Sequence, residues 1–220
     1  MSTTPQEAVS SPTLSQSWNS NARLTVKRVV DLTLSASSLL LLSPVFLVLA
    51  ILVKYGSRGP VLYRWLVVGK DGKPFVGYKF RSMVANADEL KTQLWSQNEM
   101  IGPVFKLTKD PRITRVGAWM RRYSLDELPQ LYSVLKGDMS LVGPRPPLHT
   151  EYEKFTAYQK QKLVVKPGIT CLWQVNGRNK VCDLDDWVTL DLDYIRNWSL
   201  GLDFKIMLQT VAAVFAGSGK

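Results

Sequence analysis

Residues 38–50 read SLLLLSPVFLVLA and lie inside a stretch, Leu32 to Val53, that carries no charged side chain over 22 positions. As one straight helix it would reach roughly 33 Å and could span a hydrocarbon core. Pro44 removes a backbone donor and clashes with the turn before it. The Ser43 hydroxyl can donate to a freed carbonyl, which makes a sharp bend tolerable even in lipid. The two arms then measure about 15 to 18 Å each, too short to cross alone. Basic residues flank both ends, with Arg23, Lys27 and Arg28 before the segment and Lys54, Arg58, Arg64 and Lys70 after it. Under the positive-inside rule both ends are then cytoplasmic. A helix-break-helix hairpin at 23–56, broken at Ser43-Pro44, satisfies both observations, with Asp31 near the interface. A kinked spanning helix is the other reading, because proline is common in membrane helices.

The apolar region is too long for a signal-peptide core and no small-residue cleavage site follows it, so retention is expected. Residues 1–22 are rich in Ser, Thr, Pro and Gln and read as a disordered tail. With 220 residues and 45% hydrophobic content, the remainder (57–220) suits one globular domain. Lys and Arg outnumber Asp and Glu by 28 to 18, a net charge of +10, which favours phosphates, nucleic acid or an anionic membrane surface. No nucleic-acid recognition motif accompanies that charge, so nucleic acid is not expected as a partner. The two cysteines, Cys171 and Cys182, lack metal-ligand spacing and suit a reducing compartment. With a single histidine, His149, His-rich metal sites are excluded and carboxylates must carry most acid, base or nucleophile work.

VLYRWLVVGKDGKPFVGYKF (61–80) predicts a β-hairpin around Asp71-Gly72. Residues 84–100 carry helical spacing, with Trp95, Met100 and Ile101 suited to a membrane surface or a core face. Amphipathic helices are expected over 151–165, stopped by Pro167-Gly168, and over 185–197 and 202–215. The fold class is therefore α+β, mostly helical, with a re-entrant hairpin and surface amphipathic helices.

The informative region for chemistry is KLTKDPRITRVGAWMRRYSLDELPQLYSVLKGDMSLVGPRP (106–146). Ser124-Leu125-Asp126-Glu127 fits a capping box, with Ser124 capping a helix and Glu127 reaching back to its start. The same geometry would aim backbone N–H groups at a phosphoryl group facing Asp126. A carboxylate can attack phosphorus to give an acyl phosphate, so Asp126 is the candidate nucleophile. Glu127 is the candidate Mg²⁺ ligand, since that hard cation takes oxygen donors and keeps several waters. Gly143-Pro144-Arg145-Pro146-Pro147 holds Arg145 on a stiff loop, which lowers the entropy lost on gripping a phosphate or a base; a merely solvated loop arginine is the other reading.

KRVVD (27–31), KFRSM (79–83), DPRIT (110–114), YSLDELPQL (123–131), MSLVGPRP (139–146), KPGIT (166–170), LWQVNGRN (172–179) and NWSL (197–200) together resemble the bacterial sugar transferase family, the small monotopic polyprenyl-phosphate phosphoglycosyl transferases. The resemblance implies transfer of a sugar 1-phosphate, galactose or glucose, from a UDP-sugar to undecaprenyl phosphate, with release of UMP, at the start of polysaccharide synthesis. It further implies a covalent phosphosugar on Asp126, Mg²⁺ at Glu127, and substrate contacts from Arg121 and Arg145. Lys79, Arg81 and Arg112 are further phosphate or uridine candidates, and Arg178 and Asp191 weaker ones. By the same resemblance the helix broken at Ser43-Pro44 is re-entrant and the protein monotopic on the cytoplasmic face of a bacterial inner membrane, among its lipids. A homodimer is carried as an expectation that no residue decides. The chain departs from the family pattern in three places. Trp65-Leu66-Val67 stands where Gln-x-Arg is usual, Cys171 replaces a glycine, and Gly201 replaces a bulky residue. A non-enzymatic basic membrane anchor is the alternative.

Overall fold

Ser20 accepts a hydrogen bond from the Arg23 N–H and opens helix α1 (Asn21–Leu41), which turns by 62° into α2 (Ser43–Gly56). The bend falls at Pro44, as expected, and the Ser43 hydroxyl donates to the Leu40 carbonyl at 2.8 Å, satisfying an acceptor left by the break. The computed structural model describes residues 16–175, 182–217 and 219. Among these residues no single helix is long and apolar enough to cross a membrane; α1 and α2 together reach that length and composition, but only as a bent pair.

The hairpin follows as β1 (Leu62–Val68) and β2 (Pro74–Phe80), antiparallel with Trp65 opposite Gly77. Asp71 and Gly72 both take positive φ in its turn, the backbone that favours Asp-Gly there. Next come α3 (Ala87–Gln93), α4 (Arg115–Arg122) and α5 (Gln130–Lys136). Strand β3 (Ser140–Val142) leads into the short helices α6 (His149–Tyr152) and α7 (Ala157–Lys160). Strand β4 (Gly168–Thr170) lies parallel to β3, and α8 (Leu172–Val175), α9 (Leu184–Asn197) and α10 (Leu200–Phe215) complete the chain. The architecture is mixed α/β and mostly helical.

The helices expected at 185–197 and 202–215 are present. Two others differ. The helix expected at 84–100 is regular only as α3, and Met100 is buried while Ile101 is exposed. The stretch 151–165 is not one helix, because Thr156 and Gln159 form a fresh capping box that restarts the chain between α6 and α7, with Phe155 turned into the core at the junction. Residues 16–22, assigned from composition to the tail, pack on the domain: Ser17 is buried and Trp18 stacks on Trp198 at 4.1 Å. Composition misses this because one tryptophan supplies the apolar area.

Two cores form. The larger gathers Trp173, Trp187, Leu192, Tyr194 and Trp198 around α9. The smaller joins Leu49 and Val53 of α2 to Phe80 of β2 and Met120 of α4, each such side chain contributing about 1.5–3 kcal/mol on burial. Helix α4 can approach this closely because of Gly117, where a Cβ would sit 1.9 Å from the Ser82 carbonyl oxygen. The base of α1 is held by polar contacts instead. Lys27 donates to Asp203 at 2.6 Å and to the Val142 carbonyl at 3.0 Å, Arg28 donates to the Val134 and Leu135 carbonyls, and Asp31 accepts from the Leu141 N–H. Beyond this base the apolar side chains of the bend, including Leu40, Leu41, Leu47 and Val48, are exposed.

Candidate active site

Thr114 caps α4 through the Gly117 N–H, and α4 ends in Arg121 and Arg122, whence a 3-10 turn, Leu125–Glu127, carries the two carboxylates into a cleft of about 400 Å³. The capping box expected at Ser124 does not form. Ser124 adopts φ +54 and makes no side-chain cap, and Glu127 turns instead to β2, where its Oε1 accepts from Lys79 Nζ at 2.9 Å. The local pattern is overridden by a charge 48 residues away. Asp126 accordingly sits in a tight turn ahead of α5 and not in the first turn of a regular helix.

Asp126 is 5% exposed, and Arg121 Nε stands 3.9 Å from its Oδ2. Burial pushes the Asp126 carboxyl above its usual range and neighbouring Glu127 pushes the same way, while Lys79 and Arg121 pull only partly back. Burial likewise lowers Lys79 below the usual ammonium value, with Arg145 adding to it and Glu127 opposing. Lys79 Nζ also lies 3.9 Å from the centre of the Trp65 ring.

The cleft brings together Lys79, Arg81, Arg112, Arg121, Asp126, Glu127 and Arg145 from distant parts of the chain. Two of these are also committed elsewhere. Arg81 donates to the carbonyls of Val53, Ser57 and Arg58, tying the end of α2 to β2 two residues from Lys79. Arg112 is clasped by Asp110 at 2.6 Å, bonds the Ala87 carbonyl and stacks its guanidinium 4.8 Å from Phe105. Arg145 projects over Trp173. Asp191 is 1% exposed and does not line the cleft; it pairs with Lys162 at 2.5 Å, and the Arg145 main chain favours its ionised form, so it supports the Arg145 loop from behind. Burial nonetheless leaves the Asp191 carboxyl raised. Arg178 lies outside the described residues.

Sequence reasoning missed the apolar end of the cleft. Phe105, Phe155 and Leu184 line it with Trp173 and Trp187, whose rings stack at 4.4 Å. Glu151 lines it too, accepts from the Leu148 N–H at 3.0 Å, and is raised by burial. The signal was the tryptophan content of 172–187, which reads as ordinary core. Of the departures, Val67 is buried and pairs with Leu148, so no cation stands there. Cys171 is buried, and burial holds its thiol protonated.

An acidic pair among cations, at one end of an aromatic cleft and tied through β2 to a bent apolar helix pair, defines a site for an anionic ligand handled next to that helix pair. The chain belongs to the bacterial sugar transferase family, whose model matches residues 22–217. It is 45% identical to "Galactosyl transferase CpsE" of Streptococcus agalactiae over 97% of this chain and 47% of that protein. It is 44% identical to "Undecaprenyl-phosphate galactose phosphotransferase" of Salmonella typhimurium over 88% of this chain and 41% of that protein. "Exopolysaccharide production protein ExoY" of Rhizobium meliloti is 40% identical over 88% of this chain and 87% of its own length. The chain thus spans less than half the length of the first two of these relatives.

Proposed function

We propose that this protein is a phosphoglycosyl transferase that moves a hexose 1-phosphate, galactose or glucose, from a UDP-sugar to undecaprenyl phosphate. An Asp126 carboxylate oxygen attacks the sugar-bearing phosphorus, the bond from that phosphorus to the oxygen of the α-phosphate breaks, and UMP leaves. The lipid phosphate oxygen then attacks the same phosphorus, freeing Asp126 and giving the lipid diphosphate sugar. Arg121, Lys79 and Arg145 offset charge on the phosphoryl oxygens in both steps. Burial leaves the Asp126 carboxylate poorly hydrated, so little water has to be shed before attack.

Among the described residues no group of three or more His, Cys, Asp or Glu side chains is arranged to hold a metal. That fits Mg²⁺, which needs one or two carboxylates when substrate phosphates complete its shell. Glu127 would hold it together with the donor's phosphates, and when bound it supplies charge neutralisation there. The α1–α2 bend is read as re-entrant from the cytoplasmic face of the inner membrane, with the exposed side chains of the bend in lipid and Arg81 fixing its depth relative to Lys79.

The observation that carries this reading is the near-complete burial of Asp126 beside Glu127 and Arg121 in an open cleft. The test is incubation of detergent-purified protein with Mg²⁺ and UDP-galactose or UDP-glucose before any lipid is added. UMP release and a phosphosugar adduct on Asp126 are expected; turnover without an adduct would overturn the covalent step, and no UMP release from either donor would overturn the reaction.

A further inference from the structure

Trp65 and Gly77 face each other across the hairpin, and the pairing is specific. A Cβ at position 77 would lie 2.0 Å from Trp65 Nε1 and 2.6 Å from Cδ1, so the indole is laid flat over the glycine backbone. Any larger residue at 77 would lift it away. Two residues further along β2, on the same face of the strand, Lys79 reaches back over the indole, its Nζ 3.9 Å from the ring centre. The same Nζ donates to Glu127 Oε1 at 2.9 Å. Trp65 also lines the cleft.

Without the ring this arrangement is hard to hold. A lysine stem is flexible, this side chain is only 14% exposed, and Arg145 and Arg121 repel it or compete for its acidic partners. Among aromatic rings, a tryptophan face holds such a cation most strongly.

We propose that Trp65 is a positioning residue for the transfer reaction: laid flat by Gly77, its indole face pins Lys79 against Glu127 and so fixes the direction of the acidic pair. This rests on the transferase reading above. Trp65 works through Lys79, in contrast to a platform that stacks the donor's base.

The test replaces Trp65 alone with fluorinated tryptophans of increasing fluorine number, which drain the ring face of negative charge at nearly constant shape, and compares Trp65→Phe with Trp65→Leu. The expectation is a stepwise fall in kcat of up to roughly 10-fold along the series, a Trp65→Leu protein at the low end, partial recovery in Trp65→Phe, and donor KM within twofold throughout. A kcat flat to within twofold would overturn the proposal, as would a loss confined to KM, which marks a stacking platform for the donor. A second readout is independent of activity: in the ligand-free protein, the rate at which an amine-acylating reagent labels Lys79 rises at least threefold in Trp65→Leu and less in Trp65→Phe. An unchanged labelling rate also overturns it. Wild-type protein that releases no UMP overturns the transferase reading, while the labelling result still decides whether Trp65 holds Lys79.

Discussion

Three of the carboxylates bonded or ion-paired to lysine or arginine in this molecule differ in how fully they are satisfied. Asp203, at the base of α1, receives Lys27 at 2.6 Å, the Tyr194 hydroxyl at 2.7 Å and the Trp198 indole N–H at 3.1 Å. Asp191 receives Lys162 at 2.5 Å. Asp126 is about as buried as Asp203, yet its ion-pair partner Arg121 stands at 3.9 Å, and Lys79 is drawn to Glu127. Asp203, closed by three donors, fixes architecture, whereas Asp191 is paired at one oxygen and keeps a buried Oδ1 without a hydrogen-bond partner among the described residues; a buried carboxylate held loosely at the edge of a cleft keeps its reactivity. Neither kind is inferred from burial alone.

The largest effect should come from breaking the loose member. Asp126→Asn keeps the shape and removes the nucleophile, so UMP release should fall by at least about 10³-fold, measured in single-turnover assays, while the protein still folds. Turnover within tenfold of wild type would place the reacting group elsewhere.

Breaking the tight member should do the reverse. Asp203→Ala removes the counter-charge of buried Lys27 and the acceptor shared by Tyr194 and Trp198, which costs about 3–5 kcal/mol and lowers the melting temperature by roughly 6–20 °C in a domain of this size. Because α1 is docked through Lys27, the loss should appear first as protease sensitivity at the foot of α1. A melting temperature within 2 °C of wild type, about 1 kcal/mol or less, would show the pair to be dispensable.

Stability against pH sharpens the comparison. The Asp126 carboxyl is raised in the fold, so between the ordinary carboxylate range and that raised value the folded protein holds a proton the unfolded chain has released. Stability at this site therefore falls as pH rises through that window, and the deficit persists above it. Asp126→Asn removes it. In Mg²⁺-free buffer the variant should melt higher than wild type near neutral pH, by about 2–4 °C for each kcal/mol recovered, and the gain should vanish below about pH 4. A variant that melts lower at neutral pH would mean Arg121 and Lys79 hold the carboxylate better than 3.9 Å suggests.

The sequence made the local features legible: Pro44 and Ser43 placed the bend, Asp71-Gly72 the hairpin, and the cation-rich run around 106–146 the cleft. What it hid was set by distant partners. Arg81 looks like a phosphate ligand in KFRSM, yet its two terminal nitrogens close the end of α2, more than 20 residues away, while its Nε keeps no partner among the described residues. Asp191 reads from the sequence as a weaker substrate contact but answers Lys162 inside the core. The capping box at Ser124 does not form either: Ser124 takes a left-handed backbone with no side-chain cap, and Glu127 bonds Lys79 from a distant strand. Residue type announced charge near a site; only packing decided which charges were left for a ligand.

Gly201 offers the smallest effect and a clean control on the tight pair. It lies in the first turn of α10, between the Ser199 cap and Asp203, and a Cβ there would meet only Ser199 Oγ at 3.9 Å. Its φ is not in the region that demands glycine, so no strain or close approach explains it. Gly201→Leu should therefore stabilise the protein by up to about 1 kcal/mol through reduced chain entropy, seen as a melting shift of a few degrees with activity unchanged. If the fold instead weakens, the turn that presents Asp203 to Lys27 needs freedom that the pair's short distances do not reveal.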